Sequence, residues 1–285
     1  MSSDVRPEAG KLAAVIGSPV AHSLSPAIHR AAFEAAGVDW SYVAFDVAEG
    51  RADEAIAAMR LLGIAGLSVT MPHKEAIARL VDRLDPAAQA LGSVNTVSWD
   101  DGRLVGSSTD GAGFVASLAD AGVAVDGARV AIIGAGGAAR SVIDALARAG
   151  SPDITVLNRS ADRAEAAAAL ASAASVGIVS DITRADIVVN ATSVGMGVEP
   201  SAATDGDLPC DPTLLHDGQV VADLVYHPLE TAWMARAADR GARTVDGLGM
   251  LVHQAALQQR IWLGAGAVID TVAMRAAAER SLASR

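Results

Sequence analysis

The chain has 285 residues, room for one large or two medium domains. It is 51% hydrophobic and 19% charged but only 3% aromatic, so its cores must be built from Ala, Val, Leu and Ile. A formal net charge of −11 argues against non-specific binding to nucleic acid or anionic membrane, and the single cysteine, Cys210, excludes an intrachain disulfide and suits a reducing compartment. Residues 1–11 lack the apolar core of a secretory signal, and no run approaches the roughly 18 apolar residues of a membrane span. The expectation is a cytoplasmic protein whose partners are small molecules, with a second copy of the chain (a homodimer) as the one protein partner considered.

Leu12 to Ile16 reads as a first strand, which runs into Gly17-Ser18-Pro19-Val20-Ala21-His22-Ser23-Leu24-Ser25-Pro26. Ser25 followed by Pro26 suits the N-cap and first position of a helix reaching about Ala36. With Leu24 extended, the Ser23 and Ser25 hydroxyls point the same way, toward something polyhydroxylated; the alternative for Ser25 is a plain cap. His22 and His29 have no spaced ligand partners, so no metal site is expected. Trp40 to Val47 is a second strand, followed by a helix around Ala48–Leu62. Ala65 to Thr70 is a third strand, leading into Met71-Pro72-His73-Lys74. Pro72 suits the first turn of a helix, which sets Lys74 at the unfavourable end of the helix dipole. Such a place favours the neutral amine that a general acid/base lysine needs, although an exposed lysine without function fits the same spacing. Val94 to Trp99 and Arg103 to Ser107 alternate and flank Asp100-Asp101-Gly102, which makes a hairpin. Asp110 then stands where it can cap a helix reaching about Ala121.

After Gly122–Gly127 the pattern changes. Val130-Ala131-Ile132-Ile133 reads as a buried strand, Gly134-Ala135-Gly136-Gly137-Ala138-Ala139-Arg140 as a turn opening a helix to Ala149, and Ile154 to Leu157 as a second strand. Strand, glycine turn, helix and strand form the first βαβ unit of a dinucleotide-binding domain. Gly134 allows the tight turn, Gly136 lets the backbone approach a pyrophosphate, and Ala139 is small enough for close helix–strand packing. The pyrophosphate would rest on free N–H groups at the helix N-terminus; an ordinary βα turn is the alternative. NAD sites usually carry Asp or Glu at the end of the second strand for the ribose hydroxyls. Here Asn158-Arg159-Ser160 stands there, with Arg163 four residues after Arg159. Two guanidiniums suit a 2′-phosphate and point to NADP; a pair of solvated surface arginines is the alternative. Later strands are expected near 175–179, 186–191, 220–225 and 243–245. Asn190 to Met196 and Asp223 to Pro228 leave strand ends at the carboxyl edge, where ligands bind in open α/β sheets. Two helices, from Leu248 to Trp262 and from Val268 to Leu282, are expected to pack back on the first half. The fold class is therefore α/β. Residues 1–110 are expected to form a first α/β domain, 111–246 a doubly wound Rossmann-type nucleotide domain, and 247–285 the returning helices.

Taken together the motifs resemble the shikimate dehydrogenase family, whose members reduce 3-dehydroshikimate to shikimate with NADPH. The resemblance runs from about Ala14 to Ala277. Its markers are Ser23-Leu24-Ser25-Pro26, Val69-Thr70-Met71-Pro72-His73-Lys74, Val94-Asn95-Thr96 and Ser108-Thr109-Asp110-Gly111 in the first half. Gly134 to Ala138, Asn158-Arg159-Ser160, Asn190-Ala191-Thr192-Ser193 and Gly249-Met250-Leu251 with Gln254 follow in family order. The resemblance implies that Lys74 and Asp110 are the catalytic pair. It implies that Ser23, Ser25, Thr70, Lys74, Asn95, Asp110 and Gln254 hold the substrate, with Tyr226 beside them. For the NADP phosphates it implies Gly134, Ala135, Gly136, Gly137 and Ala138 together with Asn158, Arg159, Ser160 and Arg163. Thr192 and Ser193 fall on the adenosine side and Met250 near the nicotinamide, with Val225 and Gly247 as further cofactor contacts. The family commonly has Asn where Ser68 stands, Asn at Arg30 and Thr at Ser160. Rival readings are a quinate or dual quinate/shikimate dehydrogenase, often using NAD, and a non-catalytic NADP-binding sensor on the same scaffold. A methylenetetrahydrofolate dehydrogenase-like enzyme shares the layout, but neither the Ser23/Ser25 motif nor the context of Lys74 suits it.

Overall fold

In the computed structural model, which describes residues 10–284, the strands gather into two six-stranded sheets. The first contains β1 (Lys11–Gly17), β2 (Trp40–Asp46), β3 (Gly66–Val69), β4 (Arg83–Leu84), β5 (Thr96–Asp100) and β6 (Arg103–Ser107), in the order β2-β1-β3-β5-β6-β4. β1 lies parallel to both β2 and β3, whereas β3–β5 and β5–β6 are antiparallel. The β5–β6 hairpin turns on Asp101 and Gly102, both at positive φ (46° and 73°), as a two-residue turn with the right-handed twist of its strands requires. Helices α1 (Ser25–Ala35), α2 (Ala52–Leu62), α3 (Lys74–Ala78) and α4 (Pro86–Leu91) complete this half. Strand β4 and helix α4 escape the sequence pattern because each is too short to show a period.

The second sheet is wholly parallel. It contains β7 (Arg129–Ile133), β8 (Asp153–Leu157), β9 (Ala174–Val176), β10 (Ile187–Asn190), β11 (Val220–Asp223) and β12 (Arg243–Val245), in the order β12-β11-β10-β7-β8-β9. The chain runs outward from β7 through β8 to β9, then returns to the other side of β7 at β10. The gap between the carboxyl ends of β7 and β10 is thus the topological switch point, where doubly wound sheets bind their ligands. Buried on both faces, Val130, Ala131, Ile132, Val188 and Val189 read as continuous apolar runs. Helices α6 (Gly137–Arg148), α7 (Ala161–Ala168) and α8 (Ala232–Asp239) cover this sheet.

Helix α5 (Asp110–Asp120) links the halves. A Cβ at Gly111 would run into the carbonyl oxygen of Ser141 on α6, and one at Gly113 would lie 2.6 Å from the backbone nitrogen of Gln254 on α9 (Gly247–Leu263). Two glycines therefore let α5 press directly on the backbone of a helix from each side. α9 packs on β5 and on α1, and α10 (Thr271–Ala283) packs on α1, so the last two helices return to the first half.

Three local expectations change. Ser25 is the first helical residue rather than the cap, and its N–H donates to Ser23 Oγ at 3.2 Å. Pro72 lies in the turn before α3, so that Lys74 itself opens the helix. Asp110 opens α5 but does not cap it; its carboxylate turns instead to Lys74 and Asn95.

Candidate active site

A cleft of about 380 Å³ opens where the carboxyl ends of the two sheets face each other, a size suited to a small ligand. From the first half it takes Ser23 and Ser25 at the start of α1, Thr70 after β3, Lys74 on α3, Asn95 before β5 and Asp110. Tyr226, in the loop after β11, and Gly247, Met250 and Gln254 of α9 reach it, as does Ala138 in the first turn of α6. Elements separated by more than 200 residues in sequence thus converge on one space.

At its centre Lys74 Nζ lies 2.6 Å from Asp110 Oδ2, an ion pair whose side chains keep 29% and 16% of their exposure. The charge of Asp110 offsets the unfavourable helix end at which the ammonium sits. The other carboxylate oxygen, Oδ1, accepts from Asn95 Nδ2 at 2.7 Å. Asn95 is itself held by the Thr109 N–H, which donates to Asn95 Oδ1 at 2.9 Å. A fixed amide thus orients the carboxylate, and the carboxylate orients the amine. The arrangement can hold or pass a proton at an oxygen placed against Lys74.

Along the second sheet, Gly134 adopts φ 115°, and a Cβ there would come within 3.0 Å of Thr192 Cγ2 and the Ala191 carbonyl. The turn therefore lies tight against the β10 exit. At Gly136 and Gly137 a Cβ would meet nothing within 4 Å, and Gly136 heads the 12-residue α6 without a side-chain cap. That leaves the first N–H groups of α6 directed at open space, as an anion site at a helix N-terminus requires. Beyond the end of β8, Asn158, Arg159, Ser160 and Arg163 are all exposed. Asn158 Nδ2 donates to the Ser160 carbonyl at 3.0 Å, while both guanidiniums are without a side-chain bond among the described residues.

The matches with known proteins fall along the whole chain. The family model for the shikimate dehydrogenase substrate binding domain matches residues 15–97. Those for shikimate/quinate 5-dehydrogenase and for the shikimate 5′-dehydrogenase C-terminal domain match 117–199 and 247–279. The NADP(+) shikimate dehydrogenase of Moorella thermoacetica is 44% identical over 264 residues, covering 89% of this chain and 88% of its own. The chain belongs to the shikimate dehydrogenase family. Among solved structures, the Thermus thermophilus shikimate 5-dehydrogenase with NADP(H) and shikimate superposes with a TM-score of 0.86 at 37% identity, covering 95% of this chain and 99% of that one. A 5-ketofructose reductase from Gluconobacter reaches the same TM-score at 35% identity, over 95% and 98% of the two chains.

Several shikimate dehydrogenase features fall outside the sequence expectations. Val225 is wholly buried and its N–H donates to Asp223 Oδ1 at 3.0 Å, so neither its side chain nor that N–H is open to a ligand. Thr192 spends its hydroxyl within its own loop, donating to Asn190 Oδ1 at 2.7 Å and accepting from the Val194 N–H at 3.1 Å. Arg30 points away from the cleft and donates to the Tyr42 carbonyl at 2.9 Å. Ser68 and Gln258 both line the cleft, yet only Ser68 drew notice in the sequence, and only as a departure. The signal for Gln258 was available, because it follows Gln254 by four residues and shares its helix face.

Beneath the cleft, His29 is fully buried and stacked on the Tyr42 ring, with centroids 4.3 Å apart. Its Nδ1 accepts from Gln259 Nε2 at 2.8 Å, so that nitrogen cannot hold a proton. Burial lowers the pKa of the imidazole to about 3, far below its ordinary value. Because the folded value lies below the unfolded one, the associated stability is complete above about pH 6.5 and is lost as the pH falls toward 3. Between pH 7.5 and pH 5 the loss from this residue is on the order of 2 kcal/mol. Urea denaturation at the two pH values is expected to show a shallower decline for His29→Gln than for the wild type; equal declines would remove His29 as the cause.

Proposed function

We propose that this cleft binds 3-dehydroshikimate and shikimate, with Lys74 and Asp110 as the catalytic pair and NADP along the carboxyl edge of the second sheet. The enzyme is an NADP-dependent oxidoreductase that interconverts the two compounds, a step toward the aromatic amino acids. The observation that carries the assignment of residues is the Lys74–Asp110 pair, 2.6 Å apart and open to the cleft where it meets Met250 and Gly247.

The chain's own geometry fits the cofactor. Gly136 and Gly137 leave the N-terminus of α6 open for the pyrophosphate, and Arg159 and Arg163 keep their guanidiniums available for a 2′-phosphate. When bound, NADPH supplies the hydride; the protein supplies position and the proton. Ser23, Ser25 and Thr70 offer hydroxyls to the substrate's carboxylate, and Asn95, Asp110 and Gln254 face its ring hydroxyls. Lys74 holds a proton at the reacting oxygen and gives it up as the carbonyl becomes a hydroxyl, while Asp110 steadies the charge on Nζ. Tyr226 and Met250 close the cleft from the side of the second sheet. The two separate sheets support a substrate domain over residues 1–110, a nucleotide domain over 111–246 and returning helices over 247–285, which sets Asp110 at the boundary. No described helix is long and apolar enough to cross a membrane.

Initial rates with shikimate or quinate, each paired with NADP⁺ or NAD⁺, test the reading. Turnover mainly with shikimate and NADP⁺ is expected. Preference for quinate with NAD⁺ would overturn the substrate and cofactor assignments together.

A further inference from the structure

Gln258 sits on α9, one turn beyond Gln254, and only 2% of it is exposed. Its carboxamide touches three other elements. Oε1 lies 2.7 Å from Ser68 Oγ on β3 and 3.1 Å from His29 Nε2 on α1. Nε2 donates to the Asn95 carbonyl at 3.1 Å and to Thr96 Oγ1 at 3.0 Å, beside and on β5. A backbone carbonyl only accepts, so Asn95 decides which end of the amide faces it.

The remaining directions follow. Oε1 accepts only, so Ser68 spends its one proton there, and the Tyr42 hydroxyl must donate to Ser68, at 2.7 Å. Toward the cleft, Ser68 is left with a lone pair and no proton. On the other branch Thr96 Oγ1 accepts from Gln258 and therefore gives its proton to Asn95 Oδ1, at 2.8 Å. That helps the Thr109 N–H keep the Asn95 NH2 group turned to Asp110. Gln258 has all four of its hydrogen-bonding capacities filled and none left for a ligand.

We propose that Gln258 is a positioning residue that fixes the hydrogen-bond polarity of the substrate cleft, making Ser68 an acceptor only. A ligand hydroxyl against Ser68 is then welcomed, whereas an acceptor-only group there meets an opposing lone pair. The inference rests on the assignment of this cleft to shikimate. It concerns selectivity among ligands and not the chemical step.

The test compares kcat/KM for shikimate with that for its 4-deoxy-4-fluoro and 5-deoxy-5-fluoro analogues, in which fluorine accepts but cannot donate. The enzymes are wild type, Gln258→Leu, Ser68→Ala and the double variant, with Gln258→Met made alongside as an unbranched replacement should the leucine variant fail to fold. Gln258→Leu or Gln258→Met frees the Ser68 proton to turn toward the ligand. The preference for shikimate over one of the analogues is expected to narrow about tenfold, with KM moving more than kcat. Ser68→Ala is expected to narrow the same preference, and adding the Gln258 change to it to narrow it no further. A preference that stays at the wild-type value in every folded Gln258 variant would overturn the proposal. So would a Gln258 effect of full size in the Ser68→Ala background, because the residue would then act by another route. Failure of the cleft assignment is distinguishable, since it would appear as undiminished turnover in Lys74→Ala.

Discussion

Lys74→Ala is expected to lower kcat about a thousandfold while changing KM for shikimate by less than about threefold. The asymmetry follows from how the cleft divides its work. Among the described residues that line it, Lys74 is the one lysine or arginine, and its amine is tied to Asp110 at 2.6 Å. Ser23, Ser25, Thr70 and Gln254 are untouched by the substitution, so ground-state binding survives. The proton at the reacting oxygen loses its source, and that loss falls on the transition state. Lys74→Arg separates proton transfer from charge alone. A guanidinium keeps the positive charge but holds its proton too firmly to deliver it. Steady-state kinetics on both variants checks the assignment. Full turnover in Lys74→Ala would end it, and recovery by arginine would reduce the role of Lys74 to electrostatics.

The nucleotide half of the molecule was legible in sequence because its rules are local. Gly134, Gly136 and Ala139 announce a βα turn within six residues, and the structure places that turn at the switch point of a parallel sheet. The last short strand, Arg243–Val245, lies at the residues expected of it. The alanine-rich α7 was harder, since alanine gives little contrast between buried and exposed faces. The substrate half is legible mainly through resemblance. Ser25 and Asp110 both obey capping rules, yet each is drawn elsewhere: the helix starts one residue early and Ser23, two residues back, takes the Ser25 N–H, while Lys74 and Asn95, distant in sequence, take the Asp110 carboxylate. Gln258 shows the limit of local reading. Its partner Ser68 is 190 residues away, and nothing in the neighbourhood of either residue states that they meet.

Arg159→Ala is expected to raise KM for NADP⁺ about 10- to 100-fold and to leave KM for NAD⁺ within about twofold. Arg159 follows the end of β8, where a dinucleotide fold presents the adenosine ribose, and Arg163 stands in the first turn of α7. Both side chains are exposed, so their full donor capacity is available to a phosphate. The Asn158 amide bonds the Ser160 carbonyl at 3.0 Å, which shapes the loop without engaging either arginine. NAD⁺ lacks the 2′-phosphate and gains nothing from a guanidinium at that place. Arg163→Ala is expected to act in the same direction with a smaller loss. Because the contact is surface-exposed, the two cofactors must be compared at one fixed, low ionic strength; salt would shrink the effect for NADP⁺ and hide the contrast. Equal losses for NADP⁺ and NAD⁺ would show that Arg159 serves the part of the cofactor they share. Selection for the 2′-phosphate would then have to come from Arg163 or from the backbone of the β8–α7 loop.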